Sequence, residues 1–219
     1  MAKFDYESAM QMLRIQRYQE MANYDKVVGL GVKSMWDDFC SQIHDQEIDP
    51  TDIFAEEMEN LRNVEYSMKL MCICCLSETW EQDLYNFLHE KGLSTSRSND
   101  YSTTKRDFEN AYSTCAIANY PLIVEMRALV NAIKHGEGNS LNNIRRITSD
   151  SILADSNLGE IDETGKVTKK KQIEFDPNTL TSRTLNVDGK LQKYIDEITR
   201  FWGDVFEVDK ARRVARTFE

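Results

Sequence analysis

Three prolines and nine glycines are all that punctuate 219 residues. A many-stranded sandwich or barrel asks for turn residues every ~8–12 positions, and this chain does not supply them. Long elements remain. Within them apolar residues recur at steps of three and four, the period of a helix with one buried face. The expectation is a mainly all-α fold. Hydrophobic residues make up 41%, normal for a soluble globular chain, so residues 1–219 read as a single helical domain.

The pattern predicts a helix over 4–24, a break at Gly29-Leu30-Gly31, and an amphipathic helix over 32–46 carrying Val32, Met35, Trp36, Phe39 and Ile43. Asp49-Pro50-Thr51 then stops one helix and starts the next. Over 51–90 a buried stripe is expected through Ile53, Phe54, Met58, Leu61, Val64, Met68, Met71, Cys75, Thr79 and Leu84, ended by Gly92. LSTSRSNDYSTT reads as a polar loop. A further helix spans 105–135, with Phe108, Tyr112, Cys115, Leu122, Met126, Leu129 and Ile133 on one face and a kink or local break at Pro121. A short helix is expected over 141–153. β-branched residues and the turn signals Thr-Gly and Asp-Pro-Asn-Thr then predict a small β-hairpin insertion near 159–188. The last helix covers 189–208, and a short basic tail, 209–219, holds Lys210, Arg212, Arg213 and Arg216. The sum is a bundle of four to five long helices.

A formal net charge of −10 argues against nonspecific coating of nucleic acid, which needs a basic surface; a local basic groove stays compatible with it. No run of about 18 apolar residues exists, so no membrane span is expected, and cytoplasmic is the expected location. Of the five cysteines three crowd into MCICC. The odd count does not suit a disulfide framework, and no second ligand pair completes a zinc site. No metal and no cofactor are predicted, and the thiols are expected to be buried on an apolar face. His44 and His89 read as solvated helix ends. No phosphate loop, dinucleotide fingerprint or nucleophile elbow appears.

One stretch stands out. RALVNAIKHGEGNS, residues 127–140, ends a helix with Arg127, Asn131, Lys134 and His135 on one face. At about 100° per residue that face lies away from the apolar stripe. Arginine offers a planar fork for phosphate oxygens, and histidine trades a proton near neutral pH. Ordinary capping accounts for the same residues: cations favour the carbonyl end of a helix, and Arg127 can pair with Glu125 or with another helix's carboxylate. The run Lys169, Lys170 and Lys171 gives the insertion a basic edge, suited to RNA contact or to keeping an edge strand from aggregating.

These residues resemble the HEPN superfamily. Asn131-Ala-Ile-Lys134-His135-Gly136-Glu137-Gly138-Asn-Ser140 is similar to the N-x-x-K-H-G-x-G-x-S segment of bacterial members, and YIDEITRFWGDVF, residues 194–206, to their final helix. The likeness covers about 105–153 and 189–208. It implies a helical bundle, a homodimer and, as in many relatives, a metal-independent endoribonuclease of a defence or toxin–antitoxin system. Carried over, His135 moves the proton at the ribose 2′-hydroxyl, Arg127 and Lys134 hold phosphate, and Asn131 orients. RNA is then the implied partner and a 2′,3′-cyclic phosphate the product. Seven residues separate Arg127 from His135, more than is usual in the family. That spacing and the acidic charge also suit a non-catalytic relative, an interaction or regulatory subunit binding a nucleotide or a protein partner from the same operon.

Overall fold

The computed structural model describes residues 6–44, 50–94, 100–135, 160–161, 167–169 and 187–217. Among them are five α-helices: α1 (Tyr6–His44), α2 (Pro50–Glu90), α3 (Tyr101–Ala111), α4 (Pro121–His135) and α5 (Lys190–Thr217). The protein is mainly helical, as the scarcity of turn residues predicts.

Local chemistry sets several of the boundaries. Pro50 opens α2 and Pro121 opens α4, where the missing N–H is no loss and the fixed φ already suits a helix. Beyond Glu90, Gly92 adopts φ 64°. The Leu93 N–H donates to the Leu88 carbonyl at 2.9 Å and the Gly92 N–H to that of His89 at 3.0 Å, the paired closure of a Schellman end. Asp100 caps α3, its Oδ2 accepting the Thr103 N–H at 3.0 Å. The last residues of the expected polar loop, Tyr101 to Thr104, are therefore the first turn of a helix.

Several expectations are revised. The predicted break at Gly29-Leu30-Gly31 does not occur, and α1 runs through it. A helical glycine costs about 1 kcal/mol relative to alanine, too little to interrupt a helix of 39 residues. The helix predicted over 105–135 is two helices. Between them lie single 3-10 turns at Ser113–Cys115 and Ile117–Asn119, so the break at Pro121 is larger than a kink. The basic tail is not a separate segment, because α5 continues to Thr217. Asp209 within it is buried, and Arg212 donates to the Ala111 carbonyl.

The largest revision concerns α2. Leu61 and Leu84 are buried as expected, but Val64, Met68 and Met71 are exposed by 42%, 37% and 60%, and Cys75 is exposed too. The buried face runs instead through Tyr66, Leu70, Ile73, Leu76, Trp80, Leu84 and Phe87. These are also spaced by threes and fours, and they carry the larger side chains, so turning them inward removes more apolar area from water.

Of the expected insertion, Glu160–Ile161 and Val167–Lys169 pair antiparallel with a register shift. The rest of it up to residue 186, and the predicted helix over 141–153, lie outside the described residues.

The chain divides into two compact units. The first takes Met1–Ala22, Cys74–Arg127 and Gln192–Glu219. Its core is aromatic. Trp80 meets Phe201 edge-on at 5.7 Å, Trp202 meets Phe87 at 5.4 Å, and Phe108 stacks on Tyr112 at 5.2 Å. Such pairs add about 0.5–1.5 kcal/mol each beyond area burial. Tyrosine hydroxyls in this core donate to carboxylates: Tyr18 to Asp83 at 2.5 Å, Tyr112 to Asp209 at 2.5 Å, Tyr194 to Glu125 at 2.8 Å, and Tyr120 to Asp204 at 2.8 Å.

The second unit takes Asn23–Ile73 and Ala128–Leu191. Leu61, Leu70, Ile73, Leu129, Val130 and Leu191 are among its buried residues. Lys69 bridges Glu65 at 2.7 Å and Asp188 at 2.9 Å.

Two predictions follow from this packing. Gly31→Ala should stabilise the protein by about 1 kcal/mol, because a Cβ there meets nothing within 4 Å. Gly92→Ala should destabilise it by about 1–2 kcal/mol through its left-handed backbone; urea unfolding reads both signs. Trp80→Ala should cost about 3–5 kcal/mol and Met71→Ala under ~0.5 kcal/mol. The reverse order in chemical denaturation would restore the stripe expected from the sequence as the core face.

Candidate functional site

Helix α4 carries Arg127, Asn131, Lys134 and His135. Arg127 belongs to the first unit; Asn131, Lys134 and His135 belong to the second. Arg127 Nε donates to Glu81 Oε1 at 2.7 Å. Its guanidinium carbon lies 3.0 Å from the centre of the Tyr101 ring. The arginine side chain is 18% exposed. Glu81 comes from α2, and Tyr101 is the first residue of α3, held in place by the Asp100 cap. Three helices thus meet at one cation. Glu125, on the same helix, is buried and accepts from the Tyr194 hydroxyl.

Burial drives the Tyr101 phenol up to about 12, with Arg127 pulling it back and Glu81 pushing it further up. The neutral phenol presents its ring face to the guanidinium, an attraction that grows as water is excluded.

Asn131 is half-buried and Lys134 exposed. His135 is the last residue of α4, and its imidazole lies outside the described residues. Lys169 closes the second short strand; its side chain, and Lys170 and Lys171 altogether, lie outside the description. The structure therefore joins Arg127 to Glu81 and Tyr101, neither of which the sequence nominates. One signal was present: Tyr101 is the single aromatic in the otherwise largely polar run LSTSRSNDYSTT.

The Arg127 arrangement recurs in the first unit. Arg14 lies 5.7 Å from the Phe87 ring and 5.4 Å from Trp202, and pairs with Glu90 at 3.0 Å. Arg17 sits by Tyr18 and pairs with Asp83. Arg200 lies 4.7 Å from the Tyr120 ring and pairs with Glu197 at 2.8 Å. Each is an arginine beside an aromatic ring with at least one N–H on a carboxylate, a geometry that suits the planar fork.

Among the described residues no three His, Cys, Asp or Glu side chains gather as a metal site, and no helix is long and apolar enough to cross a membrane. Compared with family models, curated proteins and solved structures, the chain finds no match in any of the three.

The tyrosine environment gives a pH prediction. A phenol held at about 12 in the folded protein and near its ordinary ~10 when unfolded contributes stability that is whole below pH ~10 and lost as pH rises towards ~12. Tyr18, Tyr112, Tyr120 and Tyr194 are also raised, burial being the largest cause for each. Urea midpoints should fall steeply above pH ~10, and Tyr101→Phe should make that fall shallower.

Proposed function

We propose that this chain is a HEPN-like helical protein acting as a non-catalytic interaction subunit, within the bacterial defence or toxin–antitoxin setting its resemblance implies. The observation that carries the reading is the state of Arg127. Its Nε is taken by Glu81 at 2.7 Å and its face by Tyr101, the arrangement that Arg14, Arg17 and Arg200 repeat as braces. A phosphate-binding arginine keeps its fork open to the ligand; Arg127 has its Nε edge committed to Glu81 and one face to Tyr101, and its side chain is only 18% exposed. The longer spacing between Arg127 and His135 points the same way.

The occupant favoured by this reading is a protein, either a second copy or an operon partner. Exposed apolar side chains support it: on α1, Met12 is 74% exposed, Leu13 58%, Val27 61% and Leu30 68%. Methionine and large aliphatic groups left in water are the material of adaptable protein contacts.

Purified protein incubated with RNA in EDTA should leave the RNA intact, and His135→Ala should behave as the parent does. Arg127→Ala should lower the unfolding midpoint, as loss of a brace requires. Cleavage that leaves a 2′,3′-cyclic phosphate and vanishes in His135→Ala would replace this reading with the ribonuclease.

A further inference from the structure

The exposed face of α2 is rich in sulfur. Met68, Met71 and Cys72 stand at positions i, i+3 and i+4, and all three belong to the second unit. On a helix these positions share one face, with Cβ atoms of the i, i+3 and i, i+4 pairs about 5–6 Å apart. Helical side chains also lean towards the N-terminus. Met68 is 37% exposed and Met71 60%, while Cys72 is half-buried and not in a disulfide. Neither thioether is sealed in the core, where packing alone would explain it.

Two thioethers and a thiol within one turn form a soft donor set. Hard cations want oxygen ligands, and structural zinc wants four nitrogen or thiolate ligands. Thioether and thiolate together select monovalent copper. We propose that Met68, Met71 and Cys72 bind Cu(I) at the surface of α2. On binding, the Cys72 S–H bond breaks and an S–Cu bond forms. The proton passes to solvent, the two methionine sulfurs donate lone pairs, and copper stays in the +1 state. Thiolate and cation cancel in charge, which suits a half-buried sulfur. The inference is independent of the interaction-subunit reading, since it concerns a different helix and different residues.

The test is an anaerobic titration of the full chain with Cu(I) in competition with bicinchoninate, a coloured Cu(I) chelator. The parent should withdraw one equivalent from the chelator. Losing a ligand should cost no less than the about 10- to 100-fold seen when residues supporting a metal ligand are changed. Met68→Leu, Met71→Leu and Cys72→Ser should each weaken binding by at least that lower bound, with far-ultraviolet circular dichroism unchanged. Cys74→Ser and Cys75→Ser should bind as the parent does. No withdrawal of copper by the parent, binding that survives all three substitutions, or binding lost only in Cys75→Ser would each overturn the site.

Discussion

The first unit depends on carboxylates held by tyrosines inside an aromatic core. Asp83 is 4% exposed and accepts from Tyr18, which is fully buried; Asp209 is 6% exposed and accepts from Tyr112. A charged group taken out of water without partners is costly, and a hydrogen bond to one contributes about 1.5–3 kcal/mol. Each pair also joins residues remote in sequence: Tyr18 on α1 to Asp83 on α2, Tyr112 after α3 to Asp209 on α5. Apolar packing around Trp80, Phe201 and Trp202 drives collapse but tolerates sliding. The tyrosine bonds have one satisfactory register. They therefore add specificity to the stability that the rings supply.

Cations complete these pairs. Lys91 reaches Asp209 at 2.7 Å and lies 5.7 Å from the Phe87 ring; Arg17 reaches Asp83. The acidic balance of the sequence thus has an internal component. Asp83, Asp107, Glu125, Glu197 and Asp209 are all buried. A net charge of −10 read as a property of the surface alone overstates the repulsion facing an approaching anion. It also misplaces the chain's acids, several of which are structural.

What was legible in the sequence was local. Pro50, Pro121 and Gly92 mark boundaries through their own backbone chemistry, and the apolar stripe of α5 falls inward at Tyr194, Ile195, Ile198, Phe201, Trp202 and Val205 as the spacing predicts. The inward face of α2 was not legible. Val64, Met68 and Met71 follow the same spacing as Tyr66, Leu70 and Ile73, and periodicity cannot choose between two stripes on one helix. Side-chain size could have tipped the choice towards Trp80 and Phe87. The continuity of α1 through Gly29 and Gly31 was not legible either, because a glycine pair looks like punctuation while costing little in a long helix. In the candidate site, Arg127 was visible but its partners were not. Glu81 lies 46 residues away, and nothing short of the fold brings them together.

That partnership bears on what Arg127 can do. A phosphate arriving at its guanidinium also arrives beside the Glu81 carboxylate. At about 4 Å and an effective dielectric near 20, two like charges repel by ~4 kcal/mol. The incoming anion must therefore swing Glu81 away or accept that repulsion, and in either case it weakens a bond tying α2 to α4. The Tyr101 ring covers one face of the cation, so approach is restricted to the remaining edge. A catalytic arginine gains nothing from such competition, because the carboxylate neutralises the charge that transition-state stabilisation requires. A structural arginine gains a partner for its charge, a surface for its face and a fixed position among three helices. The Glu81–Arg127–Tyr101 geometry is the one that the second role rewards.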